Sequence, residues 1–460
     1  MRCRASGMRL FIALILSGWV AFPRPGSAGG FNDLTETRLR QLEEETQRLR
    51  AELEALQATQ PVALPRVTGD PVAFETEAAQ PAAPSMDEIR AEMKKLAWTK
   101  GDIQIIPYGY LWATTSYETL HSNIGDYTLY VFSPDDRPEG AWHVDGKSTR
   151  LGIDFVGPML PRFGCAQTGG KVELDFQGAF QTENRGTVLL RHAYVEVKNE
   201  YFRLLAGQTW DVISPLLPGT IMYSVGWGAG NIGYRRAQFR AERYYHFSDV
   251  LLVTTQASIN ADIASDIAGN VVAEHAEWPV IEGRLGFTVG PRGPGEHPLE
   301  FGVSAHIGEQ IFYLPGPPVT EEDFRTWSFN VDVKFPITPR FGVQGEFFTG
   351  ENLGAYLGGI IQGVNLARGN TIRATGGWVD VWYDWTDRLH SHVGYSIDDP
   401  FNQDLSPGQR SYNQFYFANI TYDVTKKFIL GFEVQQWKTN WVAKSPADST
   451  RFEVMVRYGF

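Results

Sequence analysis

Residues 451–460, RFEVMVRYGF, decide the fold class of this chain. Successive side chains of a β-strand point to opposite faces, and here one face is apolar and the other mostly polar. The apolar face is Phe452, Val454, Val456, Tyr458 and Phe460, and the other is Arg451, Glu453, Met455, Arg457 and Gly459. An edge strand of a soluble sheet also alternates, but an apolar strand that ends a chain on an aromatic residue is typical of outer-membrane barrels. The stretch therefore predicts the last strand of a transmembrane barrel, with its apolar face toward lipid.

The same two-residue period recurs upstream, from Ile103 onward. It is clearest over residues 171–181, 299–307, 327–335 and 428–435, where apolar and polar residues alternate. Several of these segments approach the roughly ten residues that a tilted transmembrane strand needs. About 16 such segments follow Ile103, an even number as bacterial single-chain barrels require. The sequence thus predicts an all-β transmembrane barrel of about 16 antiparallel strands.

The connections between these segments alternate in length. Short connections are expected at 198–200, 245–249, 336–339, 386–387 and 423–426, and long ones at 118–148, 210–233, 260–277 and 350–371. Short turns at one end and long loops at the other are typical of outer-membrane barrels, with the turns in the periplasm. One pair breaks the pattern, because 157–170 is long and the region near 184–186 is short.

Composition argues against two other classes of protein. The chain has 460 residues, 43% of them hydrophobic, and a mean hydropathy of −0.24, which is too polar for a bundle of membrane helices. A barrel tolerates this composition because every second residue of a strand faces an aqueous interior. The formal net charge of −12 argues against nucleic acid as a partner.

Residues 1–28 have the features of a secretory signal peptide. Arginines precede an apolar run over 10–21, and Gly26-Ser27-Ala28 supplies small residues for cleavage after Ala28. An uncleaved membrane anchor is the alternative, but the apolar run is short for a membrane span. We expect export to the outer membrane of a Gram-negative-type bacterium, with the N-terminal segment of the mature chain in the periplasm.

Residues 31–60 are predicted to form a coiled coil. Leucines occupy its a and d positions around Thr46, and in parallel chains Arg38 would pair with Glu43, and Glu45 with Arg50. A single solvated helix with a leucine stripe is the alternative. The residues predicted to hold the oligomer together are Leu39, Leu42, Leu49, Leu53 and Leu56.

Two further segments lie between the coiled coil and the barrel. Residues 61–84 are rich in Pro and Ala, which predicts an extended linker. Residues 85–100 are predicted to form a short helix, because Ser85 and Glu88 make a capping box. The barrel is expected over 101–460.

Three stretches of the barrel resemble the DcaP-like family of trimeric porins. They are Ile106-Pro107-Tyr108-Gly109-Tyr110, Arg191-His192-Ala193-Tyr194-Val195 and Leu205-Ala206-Gly207-Gln208-Thr209-Trp210. A coiled coil ahead of the barrel is also a feature of that family. The resemblance covers most of the mature chain through short motifs. It implies a homotrimer of barrels in outer-membrane lipid that passes small, often anionic solutes.

The connection 210–233 is the third outside loop in strand order, and in trimeric porins that loop folds into the lumen and narrows it. It contains Pro215, Pro218, several glycines and apolar residues, with Asp211 as its charged residue. Packing across a trimer interface is the alternative. Arginines on the polar face of the next strand would favour anions, unless neighbouring acids neutralise them. The predicted pore-lining residues are Arg150, Asp211, Arg236, Gln238, Arg240, Glu242 and Arg284.

These observations predict a passive diffusion channel for small hydrophilic solutes, with a preference for anions such as dicarboxylates. A structural protein that tethers the envelope through its coiled coil is the alternative. An enzyme is not expected, because His390-Ser391-His392 adjoins no oxyanion motif and nothing else suggests a nucleophile and its base. The sequence accordingly predicts no catalytic residue, cofactor or metal.

Overall fold

The computed structural model describes residues 98–178, 186–263, 273–274, 276–293, 295–314 and 320–460. The predicted signal peptide, coiled coil and linker lie outside these residues, as does the predicted helix up to Ala97. Trp98–Lys100 form a short strand that pairs with the first strand of the barrel.

Sixteen antiparallel strands form a closed barrel, which confirms the predicted fold class and strand number. In chain order they are Ile103–Glu118 (β1), Arg150–Leu160 (β2), Ala166–Asp175 (β3), Leu189–Lys198 (β4), Phe202–Trp210 (β5), Arg235–Ser248 (β6), Leu251–Asn260 (β7), Val280–Val289 (β8), Leu299–Leu314 (β9), Thr320–Thr338 (β10), Phe341–Glu351 (β11), Arg373–Asp384 (β12), Leu389–Pro400 (β13), Arg410–Thr425 (β14), Phe428–Trp441 (β15) and Ala447–Gly459 (β16).

The first strand closes the barrel because it pairs on both of its edges. Along one edge of β1, Tyr110 to Glu118 pair with Gly459 to Arg451 of β16. Along the other edge, Gln104 to Tyr110 of β1 pair with β2. On that same edge, Thr114 to Glu118 of β1 pair with Ala141–Asp145. Closure satisfies the backbone N–H and C=O groups that an open sheet would expose at its edges.

The last strand shows why the alternation in sequence predicts the fold. Its outward side chains Phe452 and Val454 are 42% and 44% exposed, whereas the inward Arg451 and Glu453 are each 1% exposed. The same division holds in β10, where phenylalanine and valine face outward and Ser328, Asn330 and Asp332 face inward and are buried. An apolar exterior around a polar interior is the arrangement of a membrane-spanning barrel.

The two ends of the barrel differ in the lengths of their connections, as predicted. At the end that we call the turn end, strands are joined by 161–165, 199–201, 249–250, 290–298, 339–340, 385–388 and 426–427. At the opposite end, the loop end, the long connections that the structure describes throughout are 119–149, 211–234 and 352–372. The irregularity expected at 157–170 disappears, because β2 runs to Leu160 and β3 begins at Ala166.

The three long connections meet inside the barrel and form one apolar cluster, which we call the interior cluster. Leu129, Met222 and Ile361, one from each connection, are at most 2% exposed. On the barrel wall, Phe415 and Trp437 stack with their ring centroids 4.4 Å apart. Burial of these side chains against each other removes apolar surface from water and holds the connections inside the barrel.

Candidate pore constriction

Residues 211–234, which we call the inner loop, cross the barrel interior. The backbone N–H groups of the loop donate hydrogen bonds to inward carboxylates of β8, β11, β12 and β15, strands that line the far wall. The four bonds are Val212 to Glu282 (2.7 Å), Leu216 to Glu346 (2.7 Å), Gly219 to Asp380 (2.8 Å) and Ile221 to Glu433 (2.9 Å). The position of the loop inside the barrel agrees with the prediction that this connection folds into the lumen.

Carboxylates suit this role for a simple physical reason. The inner loop has no helix or long strand of its own, so its buried N–H groups need acceptors from elsewhere. A carboxyl group offers two acceptor oxygens, so one side chain can accept hydrogen bonds from more than one donor of the loop. At Glu433 both oxygens are used, because Oε1 accepts from the Thr220 hydroxyl at 2.5 Å and Oε2 accepts from Ile221 N–H.

Asp211 and Arg236 fix the base of the inner loop. Arg236 Nε donates to Asp211 Oδ1 at 2.7 Å, and the other Asp211 oxygen accepts from the Tyr234 N–H at 2.9 Å. The guanidinium of Arg236 also lies 3.9 Å from the ring centroid of Tyr356 and donates to the Ala355 carbonyl at 3.2 Å. The Arg236 and Asp211 side chains are 2% and 1% exposed. This buried ion pair therefore connects the inner loop, the wall and the connection 352–372.

Gly230 lets the inner loop lie directly against the wall. Its φ of +116° is rarely adopted by residues with a side chain. A Cβ at this position would stand 2.3 Å from the Gly377 carbonyl oxygen and 2.6 Å from that of Ile397. Any larger residue would push the loop away from β12 and β13.

The structure buries most of the residues predicted to line the pore. Asp211, Arg236, Gln238, Arg240 and Glu242 are all at most 9% exposed. Arg240 donates to Gln238 at 2.8 Å, to Glu242 at 3.4 Å and to the Trp210 carbonyl. These side chains are therefore engaged with partners in the protein.

Arg150 and Arg284 keep part of their side chains exposed, at 22% and 13%. Arg284 makes a two-pronged contact with Asp332, at 3.0 and 2.6 Å. Arg150 is held less tightly, since its Nε lies 3.5 Å from Glu173, which also accepts from Arg191 at 2.7 Å. Of the predicted residues, Arg150 thus leaves the most accessible positive charge.

Further cations lie near Arg150 on the wall formed by β16 and β1–β6. Arg203 is 21% exposed and is paired with Glu196 and Glu242. Arg457 lies over the rings of Tyr110 and Trp112, each 5.6 Å away, and Arg150 lies 5.1 Å from that same Tyr110 ring. Sequence reasoning placed Arg457 on the polar face but did not select it or Arg203. The signal that could have identified both arginines is their position on the inward-facing side of their strands.

Neither a metal site nor a membrane-spanning helix is found in the described residues. Within those ranges, no group of three or more His, Cys, Asp and Glu side chains is arranged to hold a metal ion. In the same part of the chain, no helix is long and apolar enough to cross a membrane.

Comparison with known proteins identifies the fold. No family model and no curated protein sequence matches the chain. Among solved structures, the outer membrane channel DcaP of Acinetobacter baumannii superposes with a TM-score of 0.62 at 19% identity, over 79% of this chain and 99% of that one. The chain has the DcaP fold. The resemblance to DcaP-like porins inferred from short motifs is thus confirmed at the level of fold.

Two further solved structures share the barrel architecture. Pseudomonas putida OprB has a TM-score of 0.51 at 10% identity, over 81% of this chain and 97% of OprB. An anion-selective porin from Comamonas acidovorans has a TM-score of 0.50 at 11% identity, over 78% of this chain and all (100%) of that porin. At these identities the likeness to DcaP and to these two proteins establishes the fold alone.

Proposed function

We propose that this protein is an outer-membrane porin, a passive diffusion channel for small hydrophilic solutes. The observation that carries the proposal is a closed barrel with an apolar exterior, whose interior is crossed by the inner loop. A barrel of about 16 strands is wide enough for an aqueous channel, and a loop fixed across the interior narrows it. The DcaP fold supports the same function. We propose no enzymatic activity and no cofactor.

We further propose that the channel prefers small anions. On the far wall, Glu282, Asp380 and Glu433 are buried and bound to the inner loop. On the wall of β16 and β1–β6, Arg150 and Arg203 are more exposed than their partners, at 22% and 21% against 8% for Glu173 and 8% for Glu196. The pair of Lys171 and Asp154 reverses this order, at 25% and 41%. Partly exposed guanidinium groups that face the interior favour carboxylates, because arginine binds them in a planar, two-pronged geometry.

The proposed assembly is a homotrimer whose periplasmic N-terminal segments form a coiled coil. Its support is the heptad pattern of leucines over 31–60, which lies outside the described residues.

The test of selectivity is the double substitution Arg150→Gln and Arg457→Gln, measured as reversal potential across a planar bilayer in a salt gradient. Neither residue hydrogen-bonds to the inner loop, so the barrel and the loop should stay intact. The reversal potential should shift toward cations, because two fixed charges in a narrow lumen dominate the local field. The shift should shrink toward molar salt, where the screening length falls to about 3 Å.

Arg340→Gln is the matched control, because Arg340 is 59% exposed in the turn 339–340 and pairs there with Asp387. This variant should keep the native reversal potential. An unchanged ion preference in a well-folded double variant would refute the role of Arg150 and Arg457. Intact native protein that gives neither conductance nor sugar-driven liposome swelling would refute the channel itself and favour the envelope tether.

A further inference from the structure

Arg235 is a buried arginine without a hydrogen-bond acceptor. It is the first residue of β6 and is 3% exposed. Among the residues that the structure describes, no acceptor lies within reach of its Nε, Nη1 or Nη2 atoms. The adjacent Arg236, by contrast, is fully engaged with Asp211 and Ala355. A guanidinium carries five N–H donors and stays charged at any physiological pH, so its burial without an acceptor is costly.

Aromatic rings surround this guanidinium and form what we call the Arg235 cage. The Arg235 Cζ atom lies 4.6 Å from the ring centroid of Trp210, 4.6 Å from that of Tyr234 and 5.7 Å from that of Trp227. Ring faces attract a cation and offset part of its desolvation. They do not satisfy the in-plane N–H donors, which need an electronegative atom.

A second unsatisfied donor belongs to the same cage. Trp227 is 4% exposed, and its indole Nε1 has no acceptor in the described part of the chain. Trp227 and Tyr234 also line a neighbouring cavity of about 10 Å³, which Arg235 and Trp210 do not line. Such a volume is close to the minimum that holds one water-sized particle. The cage therefore combines a fixed positive charge with two kinds of unpartnered N–H donor, and the small cavity lies against two of its rings.

Neighbouring carboxylates do not neutralise Arg235. Asp211, which follows Trp210 in the chain, is bound to Arg236 at 2.7 Å. Asp175, which accepts from the Tyr223 hydroxyl at 2.9 Å, is bound to Arg191 at 2.7 Å. A water molecule could accept a hydrogen bond here but would leave the buried charge uncompensated.

We propose that the Arg235 cage binds a small monovalent anion of halide size, held by the guanidinium of Arg235 and the indole N–H of Trp227. Because Trp227 belongs to the inner loop and Arg235 to the wall, the bound anion ties the loop to β6. The site is structural and does not depend on the proposed selectivity of the channel. Its expected effect is that chloride and bromide stabilise the folded barrel, and that the stabilisation increases with the halide concentration.

The first test locates the anion directly. Crystals of the full-length protein grown in bromide should show an anomalous peak within hydrogen-bond distance of both Arg235 and Trp227 Nε1. A peak of this kind supports the proposal. The absence of a peak at saturating bromide, or density for water alone, overturns it.

The second test measures stability in solution. The temperature at which the folded band converts in a heat-modifiability gel is compared in chloride, bromide and gluconate at equal ionic strength. For the native protein, both halides should raise this temperature by a few degrees relative to gluconate. Arg235→Gln should abolish the difference, and Trp227→Phe, which keeps an aromatic ring but removes the indole N–H, should reduce it.

Arg243→Gln serves as the control, because Arg243 lies on the same strand and is flanked by the Tyr201 and Tyr245 rings, yet is only partly buried. It should retain the native halide response. If Arg235→Gln does not fold, the halide response of Trp227→Phe by itself tests the proposal. A native halide effect in Trp227→Phe, or in a folded Arg235→Gln, overturns the proposal.

Discussion

Replacement of Arg236 by Gln should release the inner loop while leaving the barrel intact. Removing one partner of a buried ion pair costs about 3–5 kcal/mol, because the other charge stays buried. Loss of the contact with the Tyr356 ring adds to this cost, whereas the Tyr234 N–H still donates to Asp211 and limits it. We therefore take the lower end of this range, about 3 kcal/mol, as the cost of the substitution. Every 1.4 kcal/mol corresponds to roughly a tenfold change in an equilibrium constant. Transient opening of the loop should become on the order of 100-fold more populated.

Hydrogen exchange measured by mass spectrometry tests this expectation. Amides of the inner loop, such as those of Leu216 and Ile221, should exchange about 100-fold faster in Arg236→Gln, in proportion to the opened fraction. Peptides from β14 and β15 should keep their native exchange, because their hydrogen bonds lie within the closed sheet. Single-channel recordings should show a larger or noisier conductance as the loop leaves the interior.

Arg284→Gln is the matched control. Arg284 is also an inward, ion-paired arginine, bound to Asp332 at 2.6 Å, but it makes no hydrogen bond to the inner loop. Loop exchange in this variant should match the native protein. If a folded Arg236→Gln protein shows native exchange in the inner loop, the ion pair does not hold the loop, and the reasoning fails.

Two further predictions concern assembly and pH. Deletion of residues 31–60 should lower the temperature at which the oligomer dissociates on a gel. The barrel should stay folded, because its strands pair with each other. An unaltered dissociation temperature would show that residues 31–60 do not stabilise the oligomer. Hydrogen bonds from Arg373 to Asp404, the shortest at 2.8 Å, lower the pKa of Asp404 in the connection 401–409. This anchor should be fully present above about pH 4 and be lost as pH falls below that value. Acid should therefore speed proteolysis of 401–409, and Asp404→Asn should do so at neutral pH; equal cleavage at all pH values would contradict the assignment.

The amino-acid sequence by itself determined the class of fold and the face on which each strand residue lies. Both properties are local, because a strand alternates its side chains with a fixed period of two. The alternation over 451–460 was therefore enough to place Phe452 outside and Arg451 inside. Connection lengths are also read directly along the chain, which is why the inner loop was located within one residue at each end.

Only the tertiary structure decided which inward charges remain accessible. The alternation of side chains along a strand places both Arg236 and Arg150 on the inward-facing side. It gives neither their depth in the barrel nor their partners. Those depend on strand register and on a loop whose acceptors lie far away in sequence, such as Glu433, 212 residues from Ile221. The inner loop therefore covers Arg236, together with Asp211, and leaves Arg150 partly exposed on β2. Alternation along a strand carries no information about such distant contacts, because they form only when the barrel closes and its loops fold inward.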